Sequence, residues 1–396
     1  MLRQSVKPTK AYKYRLYPNE EQKVMLNKTF GCVRFYYNQA LYDADISYQI
    51  TGKTEIKTPA KYKTGDRIWL CEVDSVALSF TQLYLQKAFT DFYKNPKHFS
   101  HPKFKSKKDT RKSYTTAGPS IKLKGNRIYL PKIGLVKLVL HRDLPKNCKI
   151  KHVTVSLDSS FHYYVSITFE YENQVKKVTE IRRAAGLDFS CKTLYVTSEG
   201  DKLDFPGFVN HSKEKLIRAQ RKLSHMKRGS NNYHKQRYRL ARIHNEIANQ
   251  RKDWLHKQTK IISDNYDLVC LETLNFQDIA SEYGKAVGDE GAGMFVTFLS
   301  YKMEEKGKHL LFVDKYFPSS QLCNVCGYRN SSIKDLSIRN WVCPNCNQKL
   351  DRDINAARNI LKEGLRILET VTEIKVRPKV ITNRGTHGGS SLILTT

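Results

Sequence analysis

The spacing of apolar and polar residues predicts a β-rich first half with inserted helices. Residues 10–16 alternate apolar or aromatic side chains with basic ones, as in a half-exposed strand. Apolar residues three and four apart then predict amphipathic helices over 20–48 and about 74–93. Period-two alternation returns between about 120 and 171. We therefore expect a β-sheet unit that the opening strand can join.

The second half has a different order of elements, which begins after a linking segment at 172–183. Its pattern predicts short apolar strands at 184–190, 194–197, 202–205, 266–272 and 309–314. It also predicts a pair of long helices at 213–260 and a later helix at 351–365. The last thirty or so residues offer no convincing packed element, so we expect a flexible tail there.

The net charge narrows the range of functions. The chain has 396 residues, with 69 Lys or Arg against 38 Asp or Glu, which gives a formal charge of +31. Because 40% of the residues are hydrophobic and 11% aromatic, the chain can form cores, and its length suits two or three domains. A positive excess this large favours a polyanionic partner, either a nucleic acid or an anionic membrane surface.

Two observations favour nucleic acid over a membrane. No apolar run approaches the roughly 20 residues that a membrane span needs, and the first 18 residues lack the apolar core of a signal peptide. No basic amphipathic helix with a continuous apolar face dominates the charge. We expect a soluble cytoplasmic protein that is associated with the nucleoid when on DNA.

The positive charge is concentrated in two tracts. Residues 94–112 contain eight Lys or Arg against one acid, with Phe99 and Phe104 between them. Residues 213–260 contain fifteen Lys or Arg and three acids, and their apolar positions form a separate stripe. Such a stripe commonly packs against a core, whereas a face this basic favours contact with nucleic acid phosphates.

Four of the nine cysteines form two CxxC pairs separated by sixteen residues. Four thiolates can close a tetrahedral shell around Zn²⁺, and a full shell leaves no position for a substrate, so this zinc would be structural. The alternative is a thioredoxin-like redox pair, but two pairs at this spacing in a basic chain favour zinc. The expected ligands are Cys323, Cys326, Cys343 and Cys346. Gly327 and Asn347 follow the two pairs and suit the positive backbone φ angles that such turns often need.

Acidic residues end two predicted strands and open the last helix. Asp188 and Glu272 come at strand ends, and Asp351 or Asp353 begins the helix after the cysteines. Carboxylates brought together from such positions can hold two Mg²⁺ ions for phosphodiester hydrolysis. Each acid alone also suits a solvated strand end or a charge that complements the helix dipole, so their joint order carries the argument.

Several motifs occur together over nearly the whole chain. They are YRLYPNEEQ at 14–22, GLDFS at 186–190, the helix pair at 229–257, LETLN at 271–275, FPSSQLCNVCG at 317–327 and DRDINAARNI at 351–360. In this combination they resemble the TnpB family of insertion-sequence proteins. Members of that family are RNA-guided DNA endonucleases and relatives of the type V CRISPR effectors.

The resemblance implies a multidomain fold of α/β and β class. Residues 1–178 would form an oligonucleotide-binding β-barrel, with a helical recognition region inserted at about 20–115. Residues 183–365 would form an RNase H-like (RuvC) nuclease domain, with a zinc ribbon inserted at 317–349. The tail would cover 366–396.

The resemblance also implies the roles of individual residues. Asp188, Glu272 and Asp353 would be the catalytic ligands of two Mg²⁺ ions, which selects Asp353 over Asp351, and the four cysteines would hold one Zn²⁺. The partners would be a guide RNA from the element's end and double-stranded target DNA, cut beside a short flanking motif by a monomer with one RNA. The basic residues expected to contact nucleic acid are Lys103, Lys105, Lys107, Lys108, Arg111, Lys112, Arg221, Lys222, Lys227, Arg228, Lys235, Arg237 and Arg239.

Two alternatives remain open from the sequence. A transposase that cuts and joins its element's ends also uses three acids on an RNase H fold. A regulator would bind DNA through the guide without cutting it. Ser190 replaces a glycine usual in the family, and residues 278–295 match the family weakly, so either departure could lower the activity.

Overall fold

A computed structural model describes residues 8–109, 111–172, 175–190, 193–273, 291–335, 337–371 and 374–376 of the chain. Its helices are α1 (Glu20–Thr51), α2 (Ser75–Lys94), α3 (Phe208–Ser224), α4 (Asn231–Asn265), α5 (Ala292–Glu305) and α6 (Arg352–Val371). Its strands are β1 (Thr9–Tyr17), β2 (Lys112–Thr116), β3 (Leu123–Lys124), β4 (Arg127–Leu130), β5 (Gly134–Val139), β6 (Lys149–Leu157), β7 (Tyr163–Glu170), β8 (Glu180–Ile181), β9 (Ala184–Phe189), β10 (Tyr195–Thr197), β11 (Lys202–Leu203), β12 (Leu268–Glu272), β13 (His309–Val313), β14 (Asn340–Val342), β15 (Lys349–Asp351) and β16 (Lys375–Val376).

Two structural units divide the chain. The first contains residues up to Asn173 together with His225–Arg242, and the second contains Gln174–Ser224 and the residues from Ile243 onward. The start of α4 therefore belongs with the first unit, where Tyr238 lies 6.0 Å from Phe161 between ring centroids. The expected nuclease domain at 183–365 contains the whole helix pair, and that domain boundary stays a prediction.

The first unit is built on a seven-stranded antiparallel sheet in the order β2-β6-β7-β1-β5-β4-β3. β1 pairs with β7 along most of its length and with β5 at its end, which confirms that the opening strand joins the later β unit. Buried and half-buried residues alternate along β7, as expected for a sheet with one face on a core. Within the described residues the strand order runs from β2 to β3, and closure into a barrel stays a prediction.

Two helices of the first unit agree with the predicted segments. α1 begins after a capping box, in which Asn19 and Gln22 bond to each other's backbone N–H, and it ends at Gly52 with a φ of 69°. α2 begins after Asp74, whose side chain accepts from the N–H of Val76. The two helices pack against each other and, with β2, contribute to one continuous core.

The second unit contains a five-stranded sheet in the order β11-β10-β9-β12-β13. β9, β12 and β13 are parallel, whereas at one edge β10 pairs antiparallel with β9, and β11 pairs antiparallel with β10. The first four residues of both β9 and β12 are buried, as in parallel strands covered on both faces.

Helices cover both faces of this sheet. Ala184 and Cys270 pack against α6, whereas Ala185 and Leu271 pack against α4 and α5. Because successive strand residues point to opposite faces, Asp188 and Glu272 lie on the face that α6 covers. The apolar residues of the predicted helix form the inward face of α6, since Ala356, Ala357 and Ile360 are buried and Leu361 packs against that core.

The segment expected as a tail needs correction at its start. α6 continues to Val371, and β16 pairs in parallel with β8, so residues 366–371 and 375–376 are ordered elements. Leu365 and Leu368 continue the helical spacing of apolar residues and pack in the core, so the periodicity extends beyond the predicted end of the helix. Residues 377–396 lie outside the described part of the chain. Within that described part, no helix combines the length and apolar character that crossing a bilayer requires.

Candidate active site and metal centre

Two of the three predicted acids occupy adjacent strands at the same edge of the sheet. Leu187 pairs with Leu271 in parallel register, and Asp188 and Glu272 each come next in their strands. Adjacent strands are about 4.8 Å apart, so the two carboxylates leave the sheet side by side. Apolar strands ending in acids are visible in the sequence, but their register comes from the fold.

Helix α6 brings the third acid to this edge. It packs against β9 and β12 at two glycines, where a side chain would collide with the neighbouring element. A Cβ on Gly186 would lie 2.0 Å from the carbonyl oxygen of Ala357, and one on Gly364 would lie 2.2 Å from Sγ of Cys270. This close approach places the first turn of α6, with Asp353, over the strand ends.

The electrostatics of Asp188 reflect this crowding of acids. Burial raises the pKa of Asp188 well above its ordinary value, and the negative charges of Glu272 and Asp353 raise it further. Arg352 and Arg339 oppose that shift. Burial likewise raises the pKa of Glu272 to about 7. A divalent cation would offset the repulsion among these carboxylates, so the donor set fits Mg²⁺ in charge and in ligand chemistry.

Asp351 and Asp353 have different surroundings. Oδ1 of Asp351 accepts from the N–H groups of Asp353 and Ile354, both at 3.0 Å, so this carboxylate caps α6. Asp353 instead interacts electrostatically with Asp188, and its Oδ1 lies 3.2 Å from Nη1 of Arg339. This geometry supports Asp353, rather than Asp351, as the member of the acidic group.

The four cysteines form the tightest group of metal-ligating atoms in the described ranges. Their sulfur atoms all lie within 4.8 Å of one another, a spacing that the three carboxylates do not share. Sγ of Cys323 lies 3.7 Å from Sγ of Cys346, and Sγ of Cys326 lies 3.5 Å from Sγ of Cys343. The cluster can therefore hold a metal ion such as zinc.

The turns that carry these cysteines have matching backbone geometry. Gly327 donates to the carbonyl of Cys323 and Asn347 to that of Cys343, both at 2.9 Å. Their φ angles are 76° and 56°, which confirms the positive values that the sequence predicts. Hydrogen bonds from Asn345 and the backbone of Tyr328 lower the pKa of Cys326, whereas the pKa values of Cys323 and Cys346 are raised, so without a metal the thiolate is favoured at Cys326 and disfavoured at the other two.

Comparison with known proteins identifies the family. A family model described as "Probable transposase", of the IS605 OrfB type, matches residues 166–282. A "Putative RNA-guided DNA endonuclease" of Streptomyces pristinaespiralis is 33% identical over 367 residues, which cover 90% of this chain and 89% of that protein. The chain belongs to the TnpB family. "Putative RNA-guided DNA endonuclease InsQ" of Escherichia coli is 28% identical, over 92% of this chain and 94% of that protein.

Two further family models match parts of this TnpB-family chain. One described as "Cas12f1-like, TNB domain" covers residues 293–360, and one described as "Helix-turn-helix domain" covers residues 8–53. The second description differs from the observed elements, because residues 8–53 contain β1 followed by one continuous helix of 32 residues.

A solved structure has the same overall fold. The cryo-EM structure of a Cas12f1–sgRNA–target DNA complex aligns with a TM-score of 0.54, over 89% of this chain and 98% of that one. The two sequences are 13% identical, so the likeness concerns the fold alone.

The first basic tract of this TnpB-family chain is a surface segment between α2 and β2. Asn38 of α1 holds it through two hydrogen bonds to the backbone of Lys105, at 2.8 and 3.0 Å. Nζ of Lys105 lies 4.0 Å from the ring centroid of Tyr37. A groove of about 310 Å³ lies between this segment and α1. The predicted contact residues in this segment are Lys103, Lys105, Lys107, Lys108, Arg111 and Lys112. All of them are exposed except Lys112, which begins β2 and is half-buried.

The second basic tract lies on α3, on α4 and between them. The predicted nucleic-acid contacts in this tract are Arg221, Lys222, Lys227, Arg228, Lys235, Arg237 and Arg239. All of them are exposed except Arg237, which is half-buried. Ile243 and Ile247 of the apolar stripe are buried, as the packing interpretation predicts. Within the described ranges, none of these seven cations forms an ion pair with an acid.

Sequence reasoning missed several residues that shape the site. Gly186 was noted only as part of a motif, and Arg339 and the buried Arg352 were given no contacts. The guanidinium of Arg352 donates to the backbone carbonyls of Asp335 and Ile338. The backbone N–H of Arg352 donates to the carbonyl of Arg339. Asn355 and Asn359 lie one turn apart on the inner face of α6 and are buried. They could have indicated contacts between this helix and a neighbouring loop, because buried polar side chains need hydrogen-bond partners.

Proposed function

We propose that this chain is an RNA-guided DNA endonuclease that hydrolyses target DNA in a divalent-metal site formed by Asp188, Glu272 and Asp353. The observation that carries the proposal is the placement of these acids. Two lie on adjacent parallel strands, on the face covered by the helix that bears the third. Membership of the TnpB family and the names of its relatives support the same activity.

The second unit would serve as an RNase H-like (RuvC) nuclease. Asp188, Glu272 and Asp353 would hold the metal, with two Mg²⁺ ions as the expected number. The chemistry that Mg²⁺ supplies at such a site is activation of an attacking water and stabilisation of the charge that develops on the phosphate. The protein positions the ligands through the β9–β12 register and the glycine contacts with α6.

The positive surfaces would hold the nucleic acids. Exposed cations without acidic partners can neutralise phosphates, whereas base pairing with the guide supplies the sequence specificity. The groove between α1 and residues 105–113 is lined by Arg34, Lys107 and Arg111, among others. We expect one guide RNA per monomer, and double-stranded target DNA that carries a short flanking motif.

The four-cysteine module would be a zinc ribbon with a structural role. Its sulfur atoms are close enough to share one ion, and four protein ligands leave no open coordination position. In this proposal the ion does not take part in the hydrolysis.

Co-expression with the flanking locus tests the proposal. The purified complex should contain a defined RNA and should cut DNA that matches this RNA when Mg²⁺ is present. Asp188→Ala should retain the RNA and lose cleavage. A complex that cuts equally well with Asp188→Ala would show that the site assignment is wrong.

The family model named "Probable transposase" favours a second candidate, a transposase that joins DNA ends. It predicts joining of the element's ends without any RNA, so an RNase-treated sample separates the two activities. A guide-dependent regulator would bind matched DNA without cutting it. Ser190 gives little support to a regulator, because its φ is not positive and its backbone therefore does not require glycine.

A further inference from the structure

The side chain of Asn355 connects helix α6 to the backbone on both sides of Cys323. Asn355 is 1% exposed. Its Nδ2 donates to the carbonyl of Leu322 at 2.7 Å, and its Oδ1 accepts from the N–H of Asn324 at 2.9 Å. Both ends of one carboxamide therefore fix the short segment that carries a cysteine of the metal cluster.

A second asparagine contacts the same loop differently. Asn359, one turn further along α6, donates to the carbonyls of Ser319 and Leu322 at 2.8 and 2.7 Å. It makes no hydrogen bond to Asn324 in the described structure. Asn359 is also four residues further than Asn355 from Asp351, where the helix is capped. It therefore serves as a matched control for Asn355.

The second cysteine pair connects to the same end of α6 by another route. β14 and β15 flank Cys343 and Cys346, and Asn340 pairs with Asp351, the residue that caps the helix. Asp353 therefore lies between two connections to the cysteine module: the hairpin on its N-terminal side and Asn355 two residues after it.

An ion in the cluster would control both connections at once. Thiolates at 3.5 to 3.7 Å repel one another unless a cation lies between them. Loss of the ion would let the two cysteine turns separate and would move the backbone at 322–324 away from Asn355. The first turn of α6 would then lose the contact that fixes it on this side.

We infer that Asn355 is a positioning residue through which the ion in the four-cysteine cluster holds Asp353 in place for the divalent metal. The inference rests on the proposed function, because it takes Asp353 to be a metal ligand. It assigns to the cysteine module an effect on the affinity of the carboxylate site, beyond stabilising its own fold.

Titration with Mn²⁺ on the purified full-length protein tests the inference, with zinc content measured in the same samples. Asn355→Ala should keep its zinc and bind Mn²⁺ about 10- to 100-fold more weakly, the usual cost of losing a residue that supports a metal ligand. Asn359→Ala should bind Mn²⁺ as the wild type does. Equal weakening by both variants would overturn the assignment to Asn355.

Zinc removal provides a second test of the same connection. Stripping zinc from the wild type should weaken Mn²⁺ binding, whereas stripping zinc from Asn355→Ala should add little, because the connection is already broken. If zinc removal and Asn355→Ala weaken Mn²⁺ binding independently, so that their fold-changes in affinity multiply, the inference is contradicted. Asp188→Ala separates this question from the proposed function: if it binds Mn²⁺ normally, the carboxylate site itself is wrong.

Hydrogen exchange on the wild type needs no variant and applies even if Asn355→Ala fails to fold. Zinc removal should speed amide exchange in peptides that cover residues 353–358. It should leave exchange near residues 365–370 unchanged. Unchanged exchange at 353–358 would overturn the inference.

Discussion

Asp188 and Glu272 are the next residues after a pair, Leu187 and Leu271, that lies in parallel register on two neighbouring strands. This relationship sets two carboxyl groups side by side beneath helix α6, and Asp353 adds a third. Such an arrangement costs stability while no cation is bound, because burial and mutual repulsion both disfavour the ionised carboxylates.

Asp188→Asn should therefore stabilise the protein in the absence of divalent metal. Asparagine has nearly the same size and carries no charge, so the repulsion by Glu272 and Asp353 disappears. We expect the free energy of unfolding to rise by about 1–2 kcal/mol. Added Mn²⁺ should raise the melting temperature of the wild type but not that of the variant, as measured by thermal unfolding.

Asp253→Asn is the control for this experiment. Asp253 is an exposed acid on α4, paired at 2.8 Å with Lys257 one turn later. Its replacement should change the free energy of unfolding by less than about 0.5 kcal/mol and leave the Mn²⁺ effect intact. A destabilised Asp188→Asn variant, or one that Mn²⁺ still stabilises, would contradict the arrangement of charges.

Gly186→Ala should displace α6 from the sheet. The added Cβ would lie 2.0 Å from a backbone oxygen and 2.7 Å from the backbone nitrogen of Leu361, and neither atom can move alone. We expect a loss of about 3 kcal/mol or more in denaturant unfolding. Gly31→Ala is the matched control on α1, where a Cβ meets nothing within 4 Å, and it should stabilise by about 0.5–1 kcal/mol. Equal effects at the two positions would show that the close contact of α6 is not formed.

The elements around the candidate site were predictable, whereas the contacts between them were not. Apolar runs that end in Asp188 and Glu272 can be recognised locally, and so can the two CxxC turns. The register that joins β9 to β12, and the contacts of Asn355 and Arg339, depend on residues 14 to 84 positions apart in the chain. Gly186 is an example of a local motif whose reason, contact with α6, appears only in three dimensions.

Cys343→Ser should remove the ion from the cysteine cluster. Cys343 is fully buried, and three remaining thiolates form an incomplete shell. We expect zinc content to fall from about one ion per chain to near zero, with a loss of at least about 3 kcal/mol in stability. Elemental analysis and thermal unfolding check these outcomes.

Cys71→Ser is the control for the cysteine experiment. Cys71 is an exposed free cysteine in the first unit, so its replacement should change neither zinc content nor stability. A Cys343→Ser variant that keeps a full equivalent of zinc would rule out the four-cysteine site.

The packing of α5 on α4 should depend on pH through Lys302. Its Nζ donates to the carbonyl of His256 at 2.6 Å and to Oγ1 of Thr259 at 2.7 Å. Burial, with the nearby charge of Lys306, lowers the pKa of Lys302 from 10.5 to about 8. Between these two pH values the unfolded chain binds a proton that the folded chain has released, so stability rises with pH.

Comparison with Lys302→Met isolates this titration from that of other groups. The free energy of unfolding of the wild type should rise relative to the variant by on the order of 1 kcal/mol between pH 7.5 and 9.5. Denaturant unfolding at the two pH values measures the difference. Parallel curves for the two proteins would mean that Lys302 keeps an ordinary pKa.

Cleavage of guide-matched DNA by Asp353→Asn and Asp351→Asn complexes tests the central claim most directly. Asparagine caps a helix as well as aspartate does, so Asp351→Asn should cut at close to the wild-type rate in the presence of Mg²⁺. Asp353→Asn should bind the same RNA and DNA and cut at least about 100-fold more slowly, because it removes a proposed metal ligand. Normal cleavage by Asp353→Asn, or no RNA-directed cleavage by the wild type, would contradict the account.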